Sequence, residues 1–158
     1  MKLKGIIDID FVNYKKTSMV LEFPYCSFKC DKECGKQVCQ NSKLASAPNI
    51  EISIEEIVKR YTENDIVEAI VLQGLEPFDS YEDLYQLIVK FREVTNDDIV
   101  IYTGYTEEEA KEKFVNPIKD FKNIVVKYGR FIPNQDVHWD NTLGVFLASN
   151  NQYAKQYR

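Results

Sequence analysis

The chain has 158 residues, enough for one domain with a buried core, and its 44% hydrophobic and 28% charged content is that of an ordinary globular protein. A net charge of −5 argues against nucleic-acid binding, which normally needs a basic face. There is no apolar run of about 18 residues for a membrane span. Polar residues within 6–11 interrupt the apolar stretch that a secretion signal would need. We therefore expect a single cytoplasmic domain over 1–158 with no membrane association.

The first part of the chain predicts a hairpin and then a loop. Residues 3–14 and 17–23 are rich in Ile, Val and Phe and are separated by a polar turn, which predicts two strands. Residues 26–39 follow as a loop, and residues 40–50 read as an irregular connection.

From residue 53 onward, predicted helices and strands alternate. Ser53 with Glu56, and Thr106 with Glu109, have the spacing of capping boxes, which open helices. The predicted helices cover 54–63, a segment from about 80 through 91, and 107 to about 114; the predicted strands cover 69–73, 99–102, 124–127 and 143–148. This alternation predicts βαβ units in a mostly parallel sheet, whose strand-end loops gather at one edge.

All four cysteines, Cys26, Cys30, Cys34 and Cys39, lie within residues 26–39. Such clustering predicts a thiolate site, and without a secretion signal metal or redox chemistry is favoured over disulfides. Four thiolates fit a structural zinc ion. They also fit a four-cysteine iron–sulfur site, or a 4Fe-4S cluster with three cysteine ligands and one open iron. The cysteine spacing alone leaves these alternatives open.

Four short blocks follow one another along the chain. They are Phe23-Pro24-Tyr25-Cys26-Ser27-Phe28-Lys29-Cys30 with the ending Cys39-Gln40-Asn41; Gln73-Gly74-Leu75-Glu76-Pro77-Phe78-Asp79; Tyr102-Thr103-Gly104-Tyr105-Thr106; and Gly129-Arg130-Phe131-Ile132 with Leu147-Ala148-Ser149-Asn150-Asn151-Gln152. In this order they resemble the radical S-adenosylmethionine (radical SAM) superfamily, where a Cys-x3-Cys-x2-Cys loop follows the first barrel strand. Within it, the chain is similar to the small activating enzymes of anaerobic ribonucleoside-triphosphate reductase.

The resemblance implies an α/β fold, a small incomplete (β/α) barrel with a mostly parallel sheet and an N-terminal hairpin. It also implies two cofactors, a 4Fe-4S cluster and S-adenosylmethionine. Cys26 and Cys30 would be cluster ligands. Cys39 is the favoured third ligand, because the ending Cys39-Gln40-Asn41 is similar to the one that closes the family loop, whereas the spacing of Cys34 is nearer the usual one.

The cofactor contacts implied by the resemblance fall in the strand-end loops. Gly74, Leu75 and Glu76 match the Gly-Gly-Glu-Pro motif that orients S-adenosylmethionine, although an ordinary turn is the alternative. Tyr102, Thr103 and Gly104 are candidates to line the ribose or a target peptide, or else form a plain helix-entry turn. Phe28 is a candidate adenine contact, with a packing role as the alternative. The single histidine, His138, is expected to be a surface or packing residue.

The function implied is that of a radical SAM oxidoreductase, with no catalytic side chain expected beyond the cluster. It would cleave S-adenosylmethionine reductively and generate a glycyl radical on an anaerobic (class III) ribonucleoside-triphosphate reductase. Flavodoxin or ferredoxin would be the electron donor. Two alternatives remain open: a radical SAM enzyme acting on a small molecule, similar to 7-carboxy-7-deazaguanine synthase, and a non-catalytic zinc-binding module.

Overall fold

The computed structural model describes all residues, 1–158, and has a mixed sheet of six strands with two small accessory sheets. The strands are β1 (Lys2–Leu3), β2 (Gly5–Asp10), β3 (Ser18–Phe23), β4 (Ile50–Glu51), β5 (Ala69–Gly74), β6 (Asp98–Tyr102), β7 (Ile124–Tyr128), β8 (His138–Asp140), β9 (Val145–Leu147) and β10 (Tyr153–Gln156). The helices are α1 (Lys29–Cys34), α2 (Ser42–Ser46), α3 (Ile54–Thr62), α4 (Tyr81–Val94) and α5 (Glu107–Ala110), with a 3₁₀ turn at Pro77–Ser80 and a π-helical turn at Lys111–Val115. None of the helices has the length and apolar character needed to cross a bilayer.

The six-stranded sheet has the order β10-β7-β6-β5-β3-β2. Its four central strands, β3, β5, β6 and β7, run parallel. An antiparallel strand forms each edge, because β2 makes a hairpin with β3 and β10 returns beside β7. The carboxyl ends of the four central strands therefore lie along one edge of the sheet, where α/β proteins build their sites.

The two faces of the sheet carry cores of different size. Along β5, Ile70 and Leu72 point into a cluster of 23 buried residues under α3 and α4, whereas Ala69 and Val71 point to the other face. That second face has a cluster of only 8 buried residues. Alternate residues of a strand face opposite sides, so a continuous apolar run can fill both cores.

The smaller core ends in a polar layer. Four valines, each fully buried, pair in register across the central strands: Val20, Val71, Val100 and Val125. Two residues further along each strand, on the same face, a polar residue takes the place of valine: Glu22, Gln73, Tyr102 and Lys127. This polar layer forms the floor of the cavity described below.

Helix caps fix where the crossover helices begin. The Ser53 hydroxyl accepts a hydrogen bond from the Glu56 N–H at 3.1 Å, and α3 then runs over Ile54–Thr62, close to the predicted 54–63. Thr106 and Glu109 form the predicted capping box, in which each side chain bonds the other's backbone N–H. The helix that follows changes to a π-helical turn at Lys111–Val115.

Four parts of the chain differ from the sequence-based expectations, and one of them is the edge strand β10, which the sequence analysis did not predict. The predicted strand over 3–14 is divided into β1 and β2, because β1 pairs with β4 outside the main sheet. The irregular connection predicted over 40–50 contains α2 and the start of β4. The strand predicted over 143–148 shortens to Val145–Leu147 and pairs only with β8, which no apolar pattern marked.

Candidate metal centre

A cavity of about 370 Å³ opens at the carboxyl ends of the four parallel strands. The loops after β3, β5, β6 and β7 all contribute to it, so the cysteine loop, the Gly74 loop and the Thr103-Gly104 loop meet as the sequence predicts. Its lining residues from these loops include Cys26, Cys30, Cys39, Gly74, Leu75, Glu76, Thr103, Gly104 and Arg130. The cavity is thus the place where the predicted site residues come together.

Three of the four cysteines line this cavity, and Cys34 does not. All four thiols are free. The Cys26 sulfur accepts a hydrogen bond from the N–H of Phe28 at 3.2 Å, and the Cys39 sulfur accepts one from the N–H of Asn41 at 3.4 Å. Backbone donors directed at sulfur stabilise thiolate ligands of iron–sulfur clusters and tune their potentials.

Burial raises the pKa of two of the cavity thiols. It raises the pKa of Cys26 to about 11 and that of Cys30 above its usual value. The backbone N–H of Phe131 and the cations Arg130 and Lys127 lower the Cys30 pKa in part. Iron binding would displace the thiol protons, so assembly of a metal site here depends on pH.

Polar side chains anchor the cysteine loop, because α1 and α2 bury no residues. The N–H of Ser27 donates to Asp79 at 2.9 Å. Asn41 donates its side-chain N–H to the Gly74 carbonyl at 2.8 Å, which joins the cysteine loop to the Gly74 loop. Arg130 forms an ion pair with Glu33 of α1 at 3.2 Å.

The glycine of the second block has a backbone that only glycine adopts readily. Gly74 has a φ of +97°, and a Cβ there would lie 2.7 Å from the Phe23 nitrogen and 2.8 Å from the Glu22 Cα. β5 and β3 therefore approach each other closely where both strands reach the cavity.

Glu76 lines the cavity, but its carboxylate is already engaged by the protein. Its oxygens accept hydrogen bonds from the Phe78 N–H at 3.0 Å, the Thr103 hydroxyl at 2.8 Å and the Gly104 N–H at 2.8 Å. Burial raises the Glu76 pKa to about 7, and the three donors lower it in part. The carboxylate thus joins the loops after β5 and β6, a role that the motif alone does not reveal.

The residues of the third block lie partly in the floor and partly in the wall of the cavity. Tyr102 lies in the polar floor and donates its hydroxyl to the Asn13 carbonyl at 2.6 Å. Thr103 and Gly104 form the wall beside Glu76. Phe28 is the one predicted cofactor contact that does not line the cavity; it precedes α1 with a φ of +54°.

Two buried cations, Lys127 and Arg130, line the cavity, and Lys127 has donor protons without a partner. Lys127 is only 7% exposed and donates to a single acceptor, the Gly129 carbonyl at 3.0 Å. Burial lowers the Lys127 pKa to about 8. Arg130, also 7% exposed, binds Glu109 at 2.7 Å through a terminal nitrogen, and its Nε lies 3.2 Å from the Glu33 carboxylate without hydrogen-bond geometry. The cavity is therefore suited to a ligand with an anionic group.

The donor set fits a cluster of several metal atoms. No three His, Cys, Asp or Glu side chains are placed to hold one metal ion. The three cavity thiols instead surround an open space, and the cysteine ligands of an iron–sulfur cluster attach to different irons. Cys26, Cys30 and Cys39 are the cavity thiols that would hold such a cluster.

Sequence reasoning did not single out Glu22, Gln73 or Lys127 as site residues. Each stands at the end of an apolar strand on the face of the smaller core. In each strand the polar residue lies two positions after a buried valine and so faces the same side of the sheet. This pattern can be recognised in the sequence only when the face of the strand that points to the smaller core is known.

A family model described as the 4Fe-4S single cluster domain matches residues 15–153. The match extends from the turn before β3 to the first residue of β10 and so includes every residue that lines the cavity except Asn13. The chain belongs to the 4Fe-4S single cluster domain family. A search of curated proteins finds no match to the chain.

Proposed function

We propose that the protein is a radical SAM activase that produces a glycyl radical on an anaerobic ribonucleoside-triphosphate reductase. The observation that carries this proposal is the placement of three thiols, and not four, around a cavity that also contains the Gly74 and Thr103-Gly104 loops. A 4Fe-4S cluster held by Cys26, Cys30 and Cys39 would supply one electron for cleavage of S-adenosylmethionine to methionine and a 5′-deoxyadenosyl radical.

In this proposal the protein holds and orients the reactants. Cys26, Cys30 and Cys39 bind the cluster. The cations Lys127 and Arg130 would lie near the carboxylate of S-adenosylmethionine, and the spare donors of Lys127 support this assignment. The backbone around Gly74 and Leu75 forms the adjoining wall, while Glu76 fixes that wall through its three hydrogen bonds.

A small incomplete (β/α) barrel is the fold that goes with this proposal, and the parallel order of β3, β5, β6 and β7 within the mixed sheet is compatible with it. The four parallel strands supply the floor, and the segment over 143–147 covers the smaller core beside it. Packing of this kind keeps water away from a reactive radical. Flavodoxin or ferredoxin is the proposed electron donor.

The first test asks which thiols bind the cluster. Anaerobically reconstituted Cys39→Ser protein should hold far less iron and sulfide than wild type, and Cys34→Ser should match wild type. The reverse pattern would assign the third ligand to Cys34.

The second test concerns the reaction. Reduced, reconstituted protein mixed with S-adenosylmethionine and the reductase should form 5′-deoxyadenosine and a glycyl radical, seen by electron paramagnetic resonance. Deoxyadenosine formation that needs a small molecule and no reductase would instead favour a small-molecule enzyme. A colourless protein that retains zinc and no iron would exclude both.

A further inference from the structure

Apolar packing does not place Cys39. It lies nine residues after Cys30, and no side chain over 31–39 is buried. Another kind of contact must therefore fix where its thiol lies relative to that of Cys30.

Asp31 makes that contact. Its Oδ1 atom accepts hydrogen bonds from the N–H groups of both Val38 and Cys39, each at 2.7 Å. Asp31 lies in the first turn of α1 directly after Cys30, and the chain turns back at Gly35, which has a φ of +66°. One carboxylate oxygen thus closes the loop and holds the Cys39 backbone beside the residue that follows Cys30.

The contacts after Cys39 complete this arrangement. Asn41 bonds the Gly74 carbonyl through its side chain and the Cys39 sulfur through its N–H. Cys39 therefore lies between an anchor to α1 and an anchor to β5. Cys34 has no such contact and lies outside the cavity.

We propose that Asp31 is a positioning residue for the cluster, which folds residues 31–39 into a closed loop and presents Cys39, rather than Cys34, to the cavity. Hydrogen bonds to a carboxylate are shorter and stronger than those between neutral groups, so the loop is ordered before iron binds. This inference rests on the cluster-binding part of the proposed function and does not depend on cleavage of S-adenosylmethionine.

The test compares Asp31→Ala with Asp31→Asn in the full chain after anaerobic reconstitution. The alanine variant should lose iron to a chelator at least about tenfold faster, because it loses both hydrogen bonds to Oδ1 and one charge-assisted hydrogen bond alone corresponds to about that factor. After reduction it should also show a weaker 4Fe-4S electron paramagnetic resonance signal per protein, because one ligand is poorly held. The asparagine variant keeps a neutral acceptor oxygen and should fall between wild type and the alanine variant.

Asp65→Ala is the matched control, since Asp65 is exposed and remote in sequence from the cysteines. Wild-type iron retention and spectra in Asp31→Ala would overturn the proposal. Equal losses in the alanine and asparagine variants would also overturn it, because the acceptor would then not matter. A lower melting temperature of cluster-free Asp31→Ala than of Asp65→Ala would indicate a general structural role and overturn it as well. If wild type holds a cluster but cleaves no S-adenosylmethionine, the activase proposal fails while this one stands.

Discussion

At the scale of the residue, Gly74 is held in a conformation and a space that exclude any side chain. Gly74→Ala should lower the free energy of unfolding by about 2 kcal/mol or more, because the Cβ adds a clash with the β3 backbone to the strain of a positive φ. Gly35→Ala is the control: its φ is +66° but no atom lies within 4 Å of the added Cβ, so only about 1 kcal/mol of strain is expected. Urea denaturation of the cluster-free proteins measures the free energy of unfolding of both variants. Equal losses in the two would show that the surrounding backbone shifts to remove the clash at residue 74.

Glu76 should make the stability of the cluster-free protein fall as the pH rises from 4.5 to about 7. Its pKa is raised from 4.5 to about 7 by burial, so in this range the unfolded chain releases a proton that the folded chain retains. The contribution is fully present below pH 4.5 and is lost as the pH passes the folded pKa, by about 3 kcal/mol.

Urea denaturation at several pH values measures this slope. Glu76→Gln should reduce the dependence of stability on pH. It should also lower stability at every pH, because the NH2 group of the new amide would face one of the hydrogen-bond donors around residue 76. Glu109→Gln is the control, because Arg130 lowers the pKa of Glu109 to about 2, outside the range. An unchanged slope in Glu76→Gln would assign the effect to another group.

The same scale shows what sequence reasoning reached and what it missed. Cysteine clustering and the Gly74 motif could be read directly because their residue types are chemically unusual. Lys127 could not, since its neighbours in β7 are apolar and only the register with Tyr102 shows that it faces the cavity. The three protein donors on Glu76 were also invisible, because two of them come from the loop after another strand.

At the scale of the element, the capping box at the start of α5 joins a helix to the cavity wall. Glu109 bonds the Thr106 N–H and also forms the ion pair with Arg130. Thr106→Ala should lower the free energy of unfolding by about 1 kcal/mol, as for other lost caps. Thr106→Ser keeps the hydroxyl and should be close to wild type in the same denaturation experiment. A neutral Thr106→Ala would mean that Glu109 holds the helix start unaided.

Elements with strong local signals were predicted closely, and those that depend on distant partners were not. The helix at 54–62 and strand β5 follow from a cap and an apolar run. The pairing of β8 with β9 could not be predicted in this way. Only three residues of each strand form the ladder, and the hairpin is held by Leu143 and Leu147, which pack on the smaller core. Such short ladders depend on tertiary packing more than on propensity.

At the scale of the whole molecule, the cysteine loop and the sheet should respond differently to cluster removal. The large core lies between the sheet and α3–α4 and includes no residue of 26–46. Chelation of the iron should therefore leave the sheet folded while amides over 26–41 exchange faster with deuterium. Hydrogen-exchange mass spectrometry of reconstituted and cluster-free protein measures this, with β5 and β6 as internal controls. Uniformly faster exchange would show that the cluster supports the entire fold.

The hairpin of β8 and β9 has a further consequence. Trp139, the sole tryptophan, packs edge-on against Phe146 with ring centroids 5.2 Å apart, and Phe146 lines the cavity. Because Trp139 contacts a ring that lines the cavity, its indole should lose emission by energy transfer to an iron–sulfur cluster bound there, which absorbs ultraviolet and visible light. Tryptophan fluorescence should therefore report how much cluster is bound. It should fall in proportion to bound iron during reconstitution and recover on chelation. Emission that ignores iron content would mean that the indole lies too far from the metal, or is turned away from it.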